Sequence, residues 1–326
     1  MTVRWGIVAT GGIAAAFARD VRLLPDAEVV AVGSRQQETA DAFARDHDVP
    51  RAFATYEELV SDDDVDAVYV STPHPGHHDA TMLAIEAGKA VLLEKPFTMD
   101  AGEARALVSA ARERGVFLME AMWTRFLPHV VRLREVLAAG TLGEVTTVTA
   151  EHGQWFAQDP KHRLFAPALG GGALLDLGVY PVSFASMVLG KPTRVTAVGD
   201  PAFTGVDATT SALLQYDGGA QAVVTCSLRA AGMNAAAVVG TEARVEVDPV
   251  FYSPTTIRVV GRDGSVLESF DGAVEGSGHR FQAAEVGRCL TAGLLESDVM
   301  PLDETVAIME TMDEIRRQIG LDYSVL

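Results

Sequence analysis

Short apolar runs alternate with longer amphipathic segments along the first 120 residues of the chain. The short runs are continuously apolar, which is typical of strands buried on both faces. The predicted strands are residues 3–8, 29–32, 67–70, 90–93 and 116–119, and the predicted helices are residues 13–24, 38–47, 78–87 and 101–114. Strands that alternate with helices in this order predict a doubly wound, parallel sheet of the Rossmann type.

The pattern changes after about residue 120. A predicted helix at 127–139 is followed by three glycines, residues 170–172, which lead into a second helical segment ending at Leu189. Eight strand-like runs, several of them hinged at Gly-Gly or Asp-Gly, predict one large, mostly antiparallel open sheet in an α+β domain. These runs are residues 145–151, 194–198, 210–216, 220–228, 235–239, 243–247, 256–260 and 266–270. Two closing helices are predicted at 281–292 and 302–319.

Length and charge narrow the possible functions. A chain of 326 residues is long enough for two domains, and we place them at residues 1–121 and 122–326, with the last helix expected to pack back on the first domain. The net charge of −18 disfavours nucleic acid and anionic membranes as partners. The two cysteines, the lack of a signal peptide and the lack of an apolar stretch of about 18 residues predict a cytoplasmic protein.

The first predicted strand leads directly into a turn of small residues. The dinucleotide fingerprint Gly-x-Gly-x-x-Gly/Ala corresponds here to Ala9, Gly11 and Ala14, so alanine replaces its first glycine. Gly11 stands where the backbone must approach a pyrophosphate, and the helix that starts around Gly12 and Ile13 offers its amides to the phosphates. An ordinary strand–helix turn is the alternative, and the repeated strand–helix pattern favours the cofactor interpretation.

The end of the second predicted strand indicates which cofactor binds. An NAD site places a carboxylate there to hold the ribose 2′-hydroxyl. This chain has Ser34 and Arg35 instead, a hydroxyl and a permanently charged guanidinium that suit a 2′-phosphate. The sequence therefore predicts NADP rather than NAD.

Three histidines follow the strand at 67–70, which raises the question of a metal site. His74, His77 and His78 lie in a Pro-containing loop, and no cluster of Asp, Glu or Cys completes a coordination sphere. We therefore predict no metal and a cofactor-facing loop, with Thr72 and Pro73 near the ribose, His74 beside them, and His77 or His78 capping the next helix.

The strand at 90–93 ends in Glu94-Lys95-Pro96, at the edge where doubly wound folds bind ligands. Together with residues 118–128 and 170–180, this motif resembles the Gfo/Idh/MocA oxidoreductases over essentially the whole chain. The similarity is to the branch that contains the dihydrodiol dehydrogenases and the NADP-dependent D-xylose dehydrogenases. The family's sugar and inositol dehydrogenases usually have histidine where this chain has Tyr180.

The resemblance implies that Lys95 and Tyr180 are the catalytic pair, with Asp176 one helical turn before Tyr180, and that Glu94 and Trp123 lie at the cofactor. Oxidation of a hydroxyl needs a base within hydrogen-bond reach of its oxygen. Lowering a tyrosine pKa from about 10 to about 7 requires about 4 kcal/mol, which a cation at about 4 Å supplies at an effective dielectric near 20. Asp176 is expected to orient Lys95 or the substrate hydroxyls. Core packing is the alternative role for Tyr180, and a surface ion pair with Glu94 is the alternative for Lys95.

These residues predict an NADP-dependent oxidoreductase that acts on a hydroxyl of a sugar or a cyclic diol. Candidate residues for the substrate pocket are Trp123, Arg125, Phe156, Arg163 and Tyr252. Two alternatives stay open: an NADP(H)-binding regulator without turnover, and a family member that keeps and recycles its NAD(P), such as a sugar oxidoreductase or an NAD-dependent glycosidase. The resemblance further implies a homodimer or homotetramer formed through the open face of the second sheet.

Overall fold

The computed structural model describes residues 2–323, and the chain divides into two compact units. The first unit runs to Trp123 and also takes in residues 275–306; the second comprises Thr124–Val274 and the chain from Ala307 onward. The boundary predicted after residue 121 lies beside the first crossing between the units. Residues 275–306, which the sequence-based division assigned to the second domain, lie in the first unit.

A six-stranded sheet forms the centre of the first unit, and every neighbouring pair of its strands is parallel. Its strands are β1 (Val3–Val8), β2 (Ala27–Gly33), β3 (Arg51–Phe53), β4 (Ala67–Val70), β5 (Ala90–Glu94) and β6 (Leu118–Ala121). The spatial order β3-β2-β1-β4-β5-β6 confirms the predicted Rossmann topology. The edge strand β3 was not predicted, because it has only three residues, all half-buried, and no apolar run marks it.

Most helices in the described residues begin and end close to the predicted positions, but the five-residue helix Tyr56–Val60 was not predicted. They are α1 (Gly12–Val21), α2 (Gln37–Asp46), α3 (Tyr56–Val60), α4 (His77–Glu86), α5 (Ala101–Arg114), α6 (Pro128–Ala138), α7 (Val179–Leu189), α8 (Arg280–Thr291) and α9 (Leu302–Ile319). Helix α5 shows why the sequence forms them where it does. The Asp100 carboxylate accepts the Glu103 N–H at 2.9 Å, the Glu103 carboxylate accepts the Met99 N–H at 3.1 Å, and Gly115 ends the helix at φ 65°.

An eight-stranded sheet forms the second unit, and it is antiparallel except between two of its strands. The strands are β7 (Val145–Gly153), β8 (Arg194–Pro201), β9 (Asp207–Gln215), β10 (Gln221–Ser227), β11 (Ala236–Gly240), β12 (Ala243–Val247), β13 (Thr256–Gly261) and β14 (Val266–Asp271), in the order β14-β13-β12-β11-β7-β10-β9-β8. Only β7 and β10 pair in parallel. Buried and less buried residues alternate along β9 and β10, as expected for a sheet with one covered face. The predicted large, mostly antiparallel sheet is confirmed.

The helical segment that leads into α7 departs from the α-helix expected there. Residues Leu174–Gly178 form a π-helical turn, and every residue of that turn is buried.

The expectation that no apolar stretch is long enough to span a membrane was wrong for Pro167–Leu189, which has a mean hydropathy of 1.5. Because 78% of its most apolar window is buried inside the protein, this segment has the character of a core helix.

Candidate active site

The turn between β1 and α1 leaves backbone amides open at the start of the helix. Gly11 precedes α1 without a side-chain cap, and the first turn of α1 contains no acidic residue. A Cβ atom placed on Gly11 or Gly12 meets no protein atom within 4 Å. Protein packing therefore does not require these glycines, and the open space suits a phosphate group against the helix amides. Ala9, in the place of the fingerprint's first glycine, has the left-handed φ of 79° that glycine adopts easily.

The end of β2 is followed by a buried hydroxyl and an exposed cation. The Ser34 hydroxyl is buried and shares a 2.6 Å hydrogen bond with the Thr39 hydroxyl. Arg35 is exposed, and in the described part of the chain its guanidinium forms no salt bridge. Burial raises the pKa of Tyr56 above its usual value, and the positive charge of Arg35 offsets part of that increase. The guanidinium is thus available to an anion from solution.

The loop after β4 carries Thr72, Pro73 and His74, which were assigned to the cofactor from the sequence. Pro73 is exposed, whereas Thr72 and His74 are buried. The Thr72 hydroxyl has no hydrogen-bond partner. An orphaned hydroxyl of this kind fits a loop built to meet a ligand.

The predicted capping role of His77 or His78 is wrong. Gly76 precedes α4 and no side chain caps that helix. The buried ring of His77 instead lies between two backbone carbonyls, with Nδ1 2.8 Å from the Pro96 oxygen and Nε2 2.9 Å from the Thr72 oxygen. Burial lowers the pKa of His77 to about 3, so the neutral ring donates to only one of these carbonyls. His78 Nδ1 bonds the neighbouring carboxylate of Asp79.

His77 therefore ties the loop after β4 to the loop after β5. Within residues 2–323, no group of three or more His, Cys, Asp or Glu side chains could hold a metal ion.

Glu94 and Lys95 occupy the carboxyl end of β5. Glu94 is buried, and one carboxylate oxygen accepts the Tyr69 hydroxyl at 2.5 Å while the other accepts the Lys95 N–H at 3.2 Å. The Tyr69 ring stacks on Phe17 of α1 with the ring centroids 3.9 Å apart. Lys95 is half-buried and precedes a cis peptide bond to Pro96. The backbone that carries Lys95 is thus tied to the centre of the sheet.

Trp123 packs against a histidine that sequence reasoning missed. The His279 ring centroid lies 4.4 Å from that of Trp123, and His279 is only 4% exposed. The pKa of His279 is lowered to about 4, mainly because the ring is buried. The negative charge of Asp20 opposes this change, and the positive charge of Lys95 adds to it. The buried Asp20 carboxylate accepts the backbone N–H groups of His279 at 2.7 Å and Ser277 at 3.0 Å. No local motif links these residues, because about 260 positions separate Asp20 from His279.

In the second unit, two residues selected from the sequence form a bidentate ion pair. The guanidinium of Arg163 donates to both carboxylate oxygens of Asp176, each at 3.0 Å. Asp176 is buried within the π-helical turn, whereas the Arg163 side chain is 56% exposed. The pair places a compensating charge on Asp176.

Tyr180, near the start of α7, lies in an aromatic cluster. Its ring centroid lies 5.0 Å from that of Tyr252 and 5.3 Å from that of His152. His152 stacks on Tyr252 at 3.9 Å. The amide of Gln154 donates to the Tyr252 hydroxyl and to His152 Nε2, both at 3.0 Å. His152 and Gln154 were not selected from the sequence; both lie at or just after the end of β7, and nothing local marks them.

The two remaining pocket candidates are Arg125 and Phe156. Arg125 is buried, and its guanidinium donates to the Ser183 carbonyl at 2.9 Å and to the Ser183 hydroxyl at 3.1 Å. That bonding gives Arg125 a role in holding α7. Phe156 is half-buried, and its ring contacts His162 at 5.4 Å.

The chain is similar in sequence to known oxidoreductases over both units. The family model described as "Oxidoreductase family, NAD-binding Rossmann fold" matches residues 3–122, and that described as "GFO/IDH/MocA C-terminal domain" matches residues 130–246. A trans-1,2-dihydrobenzene-1,2-diol dehydrogenase of Bos taurus is 43% identical over 332 residues, covering 99% of this chain and 98% of that protein. The Homo sapiens protein of that name is 42% identical over 334 residues, with the same coverage.

Solved structures share the complete architecture. An aldose-aldose oxidoreductase from Caulobacter crescentus, complexed with glycerol, superimposes with a TM-score of 0.88 at 26% identity, covering 98% of both chains. A 3-ketoreductase from Actinomadura kijaniata, in complex with NADP and TDP-benzene, superimposes with a TM-score of 0.86 at 27% identity over the same shares.

Proposed function

This chain belongs to the Gfo/Idh/MocA family of NAD(P)-binding oxidoreductases, and we propose that it transfers a hydride between NADP and a hydroxyl of a sugar or a cyclic diol. The observation that carries the proposal is the position of Lys95. It directly follows the buried strand β5, at the edge where doubly wound sheets bind ligands. The diol dehydrogenases that are similar over 99% of the chain support the substrate class.

The cofactor is assigned to the carboxyl edge of the six-stranded sheet. Open amides at the turn after β1 suit its phosphates, and the cation at the end of β2 suits a 2′-phosphate. The proposed contacts are Ala9, Gly11, Gly12 and Ile13 for the phosphates, Ser34 and Arg35 for the 2′-phosphate, and Thr72, Pro73, His74, His77, Glu94, Lys95 and Trp123 for the nicotinamide half. Of these, His77 acts through the carbonyls that it holds. When bound, the cofactor accepts or supplies the hydride.

Tyr180 acts as the general acid/base in this proposal. In the oxidation direction, its phenolate accepts the proton of the substrate hydroxyl as the hydride leaves carbon. The positive charge of Lys95 lowers the pKa of Tyr180 toward neutrality. The ring cluster of Tyr180 and His152, both buried, with the half-buried Tyr252 supports this role, because it offers an apolar wall to a ring-shaped substrate.

Asp176 has a positioning role in which its charge is compensated. An unpaired carboxylate near Tyr180 would raise the tyrosine pKa and weaken the base. The bidentate pair with Arg163 offsets that charge and leaves Asp176 able to orient Lys95 or the substrate. Arg163, chosen from the sequence as a pocket residue, thus also has an electrostatic role.

Substitution of the two proposed catalytic residues tests the mechanism. Lys95→Met and Tyr180→Phe should each lower kcat by about 10²–10⁴-fold, the range for a lost acid/base group, with NADPH binding largely intact. Lys191→Met and Tyr216→Phe are matched controls, since Lys191 pairs with Glu310 at the surface and Tyr216 is a buried residue that directly follows β9. A wild-type kcat in both Lys95→Met and Tyr180→Phe would refute the mechanism.

A screen of sugars and diols that follows NADPH at 340 nm separates this proposal from its alternatives. A regulator that only senses NADP(H) would bind the cofactor and turn over none of the substrates. A family member that recycles its NAD(P) would retain cofactor through dialysis, and its denatured protein would release it.

The preference for NADP is tested at Arg35. We expect Arg35→Ala to raise the KM for NADP by about tenfold or more, as the loss of one charged contact predicts, and to leave the KM for NAD unchanged. Equal kcat/KM for the two cofactors in the unaltered protein would refute the preference.

We further propose that the open face of the eight-stranded sheet pairs with a second copy of the chain. Val198 of β8 is 70% exposed and Val223 of β10 is 45% exposed, and a second copy that covers this face would bury both apolar side chains. Light scattering should report a dimer or tetramer, and Val223→Glu should shift it to monomer. A monomer at all concentrations would contradict the proposal.

A further inference from the structure

Asp207, the first residue of β9, is a buried carboxylate for which the proposed chemistry has no use. It is 3% exposed. Its Oδ2 accepts the N–H of Leu174 at 2.8 Å and the hydroxyl of Thr210 at 2.7 Å. Leu174 opens the π-helical turn, so this carboxylate satisfies an amide at the start of a buried helical segment, where no earlier carbonyl is available.

The same carboxylate shapes the three-glycine loop before that segment. A Cβ atom on Gly172 would lie 2.3 Å from Asp207 Oδ1, and Gly172 has a φ of +121°. The Tyr323 hydroxyl donates to the Gly171 carbonyl at 2.5 Å. The loop can approach the carboxylate this closely only because it lacks side chains, and the contact sets where the helical segment begins.

The segment held in this way carries Asp176 and Tyr180, two of the residues that the proposed function uses. Asp176 lies two residues after Leu174, and Tyr180 lies six residues after it, where the π-helical turn passes into α7. A displacement at Leu174 would therefore be transmitted along a buried helical segment to Tyr180.

We infer that Asp207 is a positioning residue for the reaction: by binding the Leu174 amide it fixes the start of the helical segment and so orients Asp176 and Tyr180. The inference rests on the proposed role of Tyr180. The requirement is for an acceptor oxygen at the position of Oδ2, since that atom accepts both the Leu174 N–H and the Thr210 hydroxyl.

The titratable groups that face Asp207 do not compete with it for the amide. Burial raises the pKa of Cys226 and of Tyr323, and the charge of Asp207 raises both further. Both groups are therefore uncharged at pH 7. The guanidinium of Arg316 lies 5.6 Å from the Tyr323 ring centroid. Its positive charge opposes the increase in the Tyr323 pKa, but the pKa remains above its usual value.

The test compares Asp207→Ala with Asp207→Asn in the full-length protein. We expect Asp207→Ala to lower kcat by about 10–100-fold, the loss typical of a misplaced catalytic group, with NADPH affinity unchanged. In hydrogen exchange of the unliganded protein, amides 173–180 should exchange faster while the β9–β10 ladder stays protected. Asp207→Asn keeps an acceptor oxygen and should restore both kcat and protection.

Wild-type kcat and wild-type exchange in Asp207→Ala would overturn the inference, and so would an Asp207→Asn variant as impaired as the alanine variant. If Asp207→Ala does not fold, Thr210→Val decides, with Thr209→Val as its matched control because the Thr209 hydroxyl bonds Ser227 instead. We expect faster exchange at 173–180 and a lower kcat only in Thr210→Val. Identical behaviour of the two threonine variants would overturn the inference.

Failure of the proposed function gives a different result. If Tyr180→Phe turns over substrate normally, the role of Tyr180 is wrong, while the exchange difference at 173–180 still shows that Asp207 holds the segment. If Tyr180→Phe is inactive and the exchange difference is absent, only the inference about Asp207 fails.

Discussion

Replacing Asp207 with asparagine should change how the stability of the protein depends on pH. Burial raises the pKa of this carboxyl from 3.8 to about 6, even though the hydrogen bonds from Thr210 and Leu174 favour the charged form. The folded protein therefore binds this proton more tightly than the unfolded chain does. The stabilisation from protonation is complete below pH 3.8 and is lost as the pH rises through 6.

The size of the effect follows from the two pKa values. A difference of about two units corresponds to about 3 kcal/mol at the acid limit. Linkage gives a contribution, relative to pH 8, of about 1.4 kcal/mol at pH 5 and about 2.4 kcal/mol at pH 4. For a domain of about 150–250 residues, 2.4 kcal/mol corresponds to a difference of about 5–10 °C in Tm. Asparagine does not titrate, so Asp207→Asn should lack this contribution.

The assay is thermal unfolding of the wild type and the variant at pH 4, 5, 6, 7 and 8. We expect the variant to gain stability relative to the wild type as the pH rises from 4 to 8, with most of the change complete by pH 7. Asp263→Asn serves as the control: Asp263 is exposed, and its hydrogen bonds with Ser265 lower its pKa. A stability difference between Asp207→Asn and wild type that stays constant from pH 4 to 8 would refute the reasoning.

Three further substitutions test other parts of the structure. Ala9→Gly should stabilise the protein by less than about 1 kcal/mol. Glycine relieves the strain of the left-handed φ of 79°, but it also raises the conformational entropy that the unfolded chain loses on folding. Denaturant titration measures the difference, and a loss of stability would contradict the prediction. His77→Ala removes the contacts with two loop carbonyls and should weaken NADPH binding by about tenfold in fluorescence titration, whereas the control His78→Ala should not. Arg163→Met removes the bidentate ion pair of the buried Asp176 carboxylate and should move the pKa assigned to Tyr180 in the kcat/KM profile to higher pH; an unchanged profile would remove Arg163 from the mechanism.

The pattern of apolar and polar residues predicted most of the fold, because the spacing of buried residues along a strand or helix is set by that element alone. All eight strands of the second sheet were predicted from their runs and turns, since most of these strands bury alternate residues. The strands of the first unit were found from continuous apolar runs, which describe β4 and β5. The short edge strand β3 has neither signal.

The site was predicted less completely, because its contacts join distant parts of the chain. The motif positions pointed to Lys95, Tyr180 and Arg35, but they carried no sign of the contact between His279 and Trp123 or of the cap that Asp207 forms 33 positions after Leu174. The π-helical turn was equally hidden, since an i to i+5 pattern over five residues leaves no hydrophobic period to read.

Three features of this chain depart from the choice that would maximise stability. Ala9 has a backbone conformation that suits glycine, His77 is buried with both ring nitrogens against carbonyl oxygens, and Asp207 is buried with a carboxylate that ionises near neutral pH. Each contacts a segment that the proposal assigns to the cofactor or to Tyr180. Natural sequences are locally consistent except where function requires otherwise. Asp207 fits that exception, because its buried carboxylate costs stability as it ionises and the amide it accepts, that of Leu174, begins the helical segment that carries Tyr180.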